Sequence, residues 1–127
     1  MANRNDGKPC VEGVKHSMNM VYICSPYSGE IGKNVKSTKR YCTFAVRHGV
    51  VPVAAHLLFP QFLDDAKEAE RRLGLDFAIT LLDRCDEIWV FCAANHEVSQ
   101  GMALEIAYAE KYKIPIKRFN TRCKEVT

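Results

Sequence analysis

The feature that most constrains this chain is an apolar run that leads into an apolar helix. Glu87-Ile-Trp-Val-Phe-Cys92 is continuous rather than alternating, the pattern of a strand covered on both faces. A short polar loop, 93–97, separates it from Val98-Ser-Gln-Gly-Met-Ala-Leu-Glu105-Ile-Ala-Tyr-Ala109. Ser99 is a good N-cap for the helix that starts there. From Gly101 to Ala109 that helix is apolar almost all round, and Glu105 is the exception. Helical side chains lean toward the N-terminus, over the residue four positions back. For Glu105 that residue is Gly101, which has no side chain. The carboxylate can therefore reach toward the helix start and the mouth of the sheet, where ligands of open α/β sheets bind. An apolar setting raises its pKa, and the helix N-terminus lowers it again. The same spacing also suits an ordinary helix with one partly exposed Glu.

The rest of the chain repeats the alternation of strand and helix. Met20-Val-Tyr-Ile-Cys24 is a short run of β-formers, the first strand. Ser25-Pro-Tyr-Ser-Gly-Glu-Ile-Gly32 is a loop, marked by Pro and two Gly. A helix is expected over 34–48, with Gly49 past its end. Strand, Gly-containing loop and helix can offer backbone N–H groups to a phosphate, with Lys33, Lys36 and Arg40 nearby. Neither G-x-G-x-x-G nor a P-loop is present, so a plain turn beside a solvated basic face is the other reading. Tyr27 sits at this mouth, either to close over a sugar or base or as a surface aromatic.

The second strand is expected over 50–55, at an edge because Pro52 lies inside it. His56 leaves its end, as a pocket residue or as a satisfied structural one. A helix is expected over 66–84, with a possible break at Gly74. Its apolar stripe is Leu75, Ile79, Leu82 and Cys85, widened by Ala78 and Leu81. Asp76 is a poor helix former in the middle of that stretch. It has either a role or a place on an exposed polar face. A fourth strand is expected over 113–119. The order predicts an α/β fold: three layers, a mostly parallel sheet of four to five strands, and helices on both faces, Rossmann- or flavodoxin-like. A mobile arm over 1–19 and a polar tail over 120–127 flank the domain at 20–119.

A chain of 127 residues is one domain with room for a core. The net charge of +3 sits partly in the tails, and no basic stripe with interleaved aromatics argues for nucleic acid. No apolar run approaches the roughly 18 residues of a membrane span. Six cysteines without a C-x-x-C, and without a His at metal spacing, read as reduced, mostly buried thiols of a cytoplasmic protein. Nothing here requires a metal or an organic cofactor.

Three stretches, in order, resemble the nucleoside 2-deoxyribosyltransferase superfamily. They are Tyr22-Ile-Cys-Ser-Pro-Tyr27, Asp76 with Cys85-Asp-Glu-Ile-Trp-Val90, and Ser99 to Ala109. In that superfamily a helix with Gly four positions before Glu carries the nucleophile. Ser99, six before Glu105, resembles the branch that hydrolyses nucleoside 5′-monophosphates, and the chain looks similar to uncharacterised bacterial and phage members. The resemblance implies Glu105 as nucleophile and Asp76 as the second carboxylate, orienting substrate or protonating the leaving base. It implies Tyr27 as the aromatic near them. Ser99, Gly101 and the loop of Ser25, Pro26, Ser28 and Gly29 become the phosphate and sugar contacts, and Asn34 and His56 are further substrate-binding candidates. It also implies a homo-oligomer, most simply a two-fold dimer. The first loop lacks the Arg-containing, Gly-rich form of the nucleotide hydrolases, and Ala107 stands where the transferases usually have Gly.

The chemistry fits these residue types. Breaking an N-glycosidic bond passes through an oxocarbenium-like state that a carboxylate can trap, while an acid helps the base depart. Water then gives a hydrolase, and a second base a transferase. The alternative is a nucleotide-binding module without catalysis, a sensor or sequestering protein.

Overall fold

A computed structural model describes residues 18–93 and 98–126. The strands are β1 (Met20–Cys24), β2 (Val51–Val53), β3 (Glu87–Phe91), β4 (Ile116–Phe119) and β5 (Glu125–Val126). The helices are α1 (Ile31–Arg47), α2 (Ala55–Leu58), α3 (Glu68–Asp83) and α4 (Gln100–Lys111). The sheet order is β2-β1-β3-β4-β5, parallel except for β5. The expected α/β architecture is therefore the one observed. The arm at 1–17, most of the loop at 93–97 and Thr127 lie outside the described residues.

Alternation along the central strands divides the core into two layers. Val21, Ile23, Trp89 and Phe91 pack with Tyr41 and Ala45 of α1. Tyr22, Cys24, Ile88 and Val90 pack with Ala78 and Leu82 of α3 and Met102, Ile106 and Ala109 of α4. This is why the β3 run is continuous: both its faces are covered. The chain moves from β1 out to β2, then crosses back over β1 to β3. The order reverses between β1 and β3, and an open α/β sheet leaves a crevice at such a point.

Several boundaries differ from expectation. The first helix starts at Ile31 rather than 34, because Asn34 N–H already donates to Glu30 O (2.9 Å). The second strand shrinks to Val51–Val53. It is an edge strand, and Val51 N–H donates inward to Asn19 O (2.8 Å). Pro52, one residue on, thus turns its missing donor outward, where no ladder needs it. His56 and its neighbours form α2 and a 3-10 turn (Phe59–Gln61). α3 runs unbroken through Gly74, where an added Cβ would meet Leu63 Cδ1 at 3.6 Å. The polar C-terminal stretch is tied down by β5 and by Arg40 Nη1 donating to Thr121 O (2.6 Å). Among the described residues no helix is long and apolar enough to cross a membrane.

α4 ends in a Schellman arrangement. Ile114 N–H donates to Ala109 O (2.8 Å) and Lys113 N–H to Glu110 O (3.4 Å), with Lys113 at φ 59°. Glycine is the usual residue there. The left-handed conformation costs an L-residue about 1–2 kcal/mol, and glycine's extra unfolded freedom returns about 0.5–1 kcal/mol. Lys113→Gly is expected to stabilise the fold by roughly 0.5–1 kcal/mol, read as a higher denaturant midpoint at unchanged slope.

Candidate active site

The loops after β1, β2 and β3 meet at the C-terminal end of the sheet and enclose a cavity of about 500 Å³. Glu105, in the second turn of α4, lies on it and is only 2% exposed. The helix is positioned by Ser99, whose Oγ accepts from Met102 N–H (3.2 Å) as the sequence predicts. One carboxylate oxygen, Oε2, accepts a hydrogen bond from the Tyr22 hydroxyl (2.5 Å). The other, Oε1, is buried and has no hydrogen-bond partner among the described residues. Burial pushes the Glu105 pKa up, and hydrogen bonding from Tyr22 and the Cys24 thiol pulls part of the way back. Burial and the nearby carboxylate raise the Tyr22 phenol well above its usual range, so it stays a donor.

The residue that holds Glu105 is thus Tyr22, whereas the aromatic expected near the carboxylate is Tyr27. The available signal was period-2: Tyr22 and Cys24 share one face of a strand buried on both sides, and a buried phenol needs a partner. Tyr22→Phe removes the phenol donor from Oε2. It is expected to move the Glu105 titration midpoint further up, followed by the ¹³C shift of its carboxyl carbon. Above that midpoint the variant should lose about 1–3 kcal/mol of stability.

Tyr27 lines the cavity wall and stacks on His56, with ring centroids 5.0 Å apart and planes at 23°. Burial lowers the His56 pKa, and a hydrogen bond to the Ser25 backbone acts in the opposite sense. Ser28, Ser99 and Gly101 also line the cavity. A Cβ on Gly101 would meet Leu75 Cδ2 at an ordinary 3.8 Å, so packing alone does not demand glycine.

Other expected contacts lie elsewhere. Ser25 is 1% exposed, and its hydroxyl is 2.9 Å from Thr38 Oγ1. Thr38 donates its one hydroxyl proton to Asn34 O (2.9 Å), so Ser25 is the donor of that pair. Its side chain anchors the loop to α1 rather than lining the cavity. Asn34 Nδ2 donates to the carbonyls of Tyr27 and Ser28 (3.0 Å each), so it shapes the loop from behind. Pro26 and Gly29 do not line the cavity, and Gly29 (φ 90°) makes the turn that carries Ser28. Asp76 is exposed on α3 and does not line the cavity, and its carbonyl accepts from Thr80 (2.8 Å). The expected partnership of Asp76 with Glu105 is not formed within one chain. α3 instead turns Arg71, Gly74, Leu75 and Ala78 to the cavity, one turn apart along one face.

Two parts of the cavity were missed. Arg71 and Arg72 reach its rim from α3, and Phe59, Leu75 and Leu104 supply an apolar wall. Among the described residues no group of three or more His, Cys, Asp and Glu side chains could hold a metal.

A family model described as a domain of unknown function (DUF7768) matches residues 19–119. The chain belongs to the DUF7768 family. That match spans β1 through β4 and so takes in both Tyr22 and Glu105. The DUF7768 domain is similar in fold to the 2-deoxyribosyltransferase of the psychrotolerant bacterium Bacillus psychrosaccharolyticus. The TM-score is 0.65 at 14% identity, over 80% of this chain and 72% of that one. At that identity the likeness is one of fold. No curated protein matches the sequence.

Proposed function

We propose that the protein cleaves, or transfers across, the N-glycosidic bond of a nucleoside or nucleoside 5′-monophosphate, with Glu105 as nucleophile. One observation carries the reading: a buried carboxylate on a cavity, with one oxygen fixed by Tyr22 and the other without a partner among the described residues. An unsatisfied buried oxygen is costly, and such groups are kept where chemistry uses them. Oε1 attacks the anomeric carbon, and the C–N bond breaks with its electron pair leaving on the base, which takes up a proton. Water then attacks the same carbon, releases the sugar and returns the carboxylate. A second base in place of water gives transfer. Tyr27 and His56 form a planar wall suited to stacking a base, and the fold likeness supports the same class of substrate.

A second reading is favoured by the position of Asp76. Without it the cavity lacks the expected assisting acid, as a nucleotide-binding module would. The test is incubation with a panel of nucleosides and 5′-monophosphates, with and without an acceptor base, followed by chromatography for free base. The Glu105→Ala protein is run beside it. Base released by the parent and not by the variant supports the glycosidase. Equal release by both removes Glu105 from the mechanism, and no release from any member favours the binding module.

A further inference from the structure

The buried floor and the exposed rim of the cavity differ in charge. Arg71 and Arg72 are exposed and reach the rim from the early turns of α3. Neither guanidinium makes an ion pair or hydrogen bond among the described residues. The carboxylate nearest in sequence is engaged elsewhere: Glu70 Oε1 accepts from Asp64 N–H (2.8 Å), and Oε2 lies 3.7 Å from Lys67 Nζ. Asp65, Glu68 and Glu70 also line the cavity, so its rim carries no net positive charge and any preference for an anion must come from the geometry of the two guanidinium groups. The first turns of α3 and α4 both border the cavity, through Glu68 and Gln100, so two positive helix ends point the same way. In the first loop Ser25 is turned to Thr38 and no Arg is present, which leaves the Ser28 hydroxyl but no cation from that loop on the cavity.

We propose that Arg71 and Arg72 hold a phosphate monoester at the rim, so that α3 rather than the first loop selects a phosphorylated ligand. The assignment rests on reading the Glu105 cavity as a nucleoside site. Guanidinium forks match phosphate oxygens in pairs, which gives selectivity that net charge alone does not.

The test uses the full chain with both arginines changed to Ala, and separately to Lys. Both side chains are exposed, so the fold should be unaffected. For a 5′-monophosphate substrate the Ala pair should raise KM about 10-fold or more with kcat little changed, the signature of lost ground-state binding. The Lys pair should fall between, and KM for the matching free nucleoside should not move. A KM for the monophosphate that is indifferent to the Ala pair would overturn the proposal.

Thermal shifts of the Glu105→Gln protein with a nucleoside, its 5′-monophosphate, ribose 5-phosphate and inorganic phosphate separate the two readings. A monophosphate shift that exceeds the nucleoside shift and disappears with the Ala pair supports the phosphate site even if the parent releases no base. A response to inorganic phosphate equal to that of the nucleotide assigns a general anion site and overturns selection of a phosphorylated ligand. Equal shifts from nucleoside and monophosphate, or none from any phosphate, also overturn it.

Discussion

Glu105→Gln is expected to lower base release on the order of 10⁴-fold, the usual scale for loss of a nucleophile. Substrate affinity should stay within several-fold, because Gln keeps the shape and can still accept from Tyr22. Steady-state turnover and equilibrium binding with the same ligand provide the check. In the parent, turnover should rise with pH through the midpoint of Glu105, since only the carboxylate attacks. Burial has moved that midpoint above the ordinary Glu range, so the acid limb should begin at a higher pH than for an exposed Glu. The variant should lack this limb.

The same substitution has an opposite effect on stability. A carboxyl whose folded pKa is raised binds its proton more tightly in the folded state. Its stabilising contribution is complete below the unfolded pKa and is lost as pH rises through the folded pKa. Above its folded midpoint the parent carries an ionised, buried carboxylate, and Gln does not. Glu105→Gln should therefore melt roughly a few degrees higher at a pH above that midpoint. The gain should shrink as pH falls toward the ordinary Glu range. A melting temperature lower than that of the parent above the midpoint would contradict this account of the site.

The second large effect is structural. Phe91 is 0% exposed and stacks on Tyr41 (4.2 Å, 8°) and Phe119 (5.0 Å, 16°), with Phe44 edge-on at 6.2 Å. It thus joins α1, β3 and β4 beneath the sheet. Phe91→Ala removes that joint and leaves a void that rigid strands cannot close, at a cost of about 3–5 kcal/mol. Urea unfolding measures it. Val46→Ala, at a position 60% exposed on the outer side of α1, is the control and should stay within about 0.5 kcal/mol. A Phe91→Ala loss no larger than the control would mean the ring ladder contributes little.

Much of this arrangement was legible in the chain. The continuous β3 run announced a doubly covered strand, Pro52 announced an edge, and Ser99 capped its helix as expected. Glu105 was found because Gly101 lies one turn before it, a local relation. What escaped was long-range. Tyr22 and Glu105 are 83 positions apart, and no local period relates a strand phenol to a helix carboxylate. Asp76 and Arg71 differ by little more than one turn of α3. Which of them reaches the cavity depends on how that helix is rotated over the sheet, a matter of packing against Ala78 and Leu82 rather than of propensity. Ser25 looked like a ligand contact because it follows β1, yet its hydroxyl found Thr38 first. The fifth strand was hidden because two polar-flanked residues carry almost no β signal of their own.

The hydrogen bond from Tyr22 to Glu105 joins a central strand to a packed helix, whereas Arg71, Arg72, Tyr27 and Ser28 sit on helix surfaces and loop. Floor and rim are thus mechanically separate. Substitutions around the mouth can accumulate without disturbing the geometry of the carboxylate, while any slip of β1 would misplace it at once. Such a division lets the ligand admitted at the mouth change while the setting of the buried carboxylate is kept.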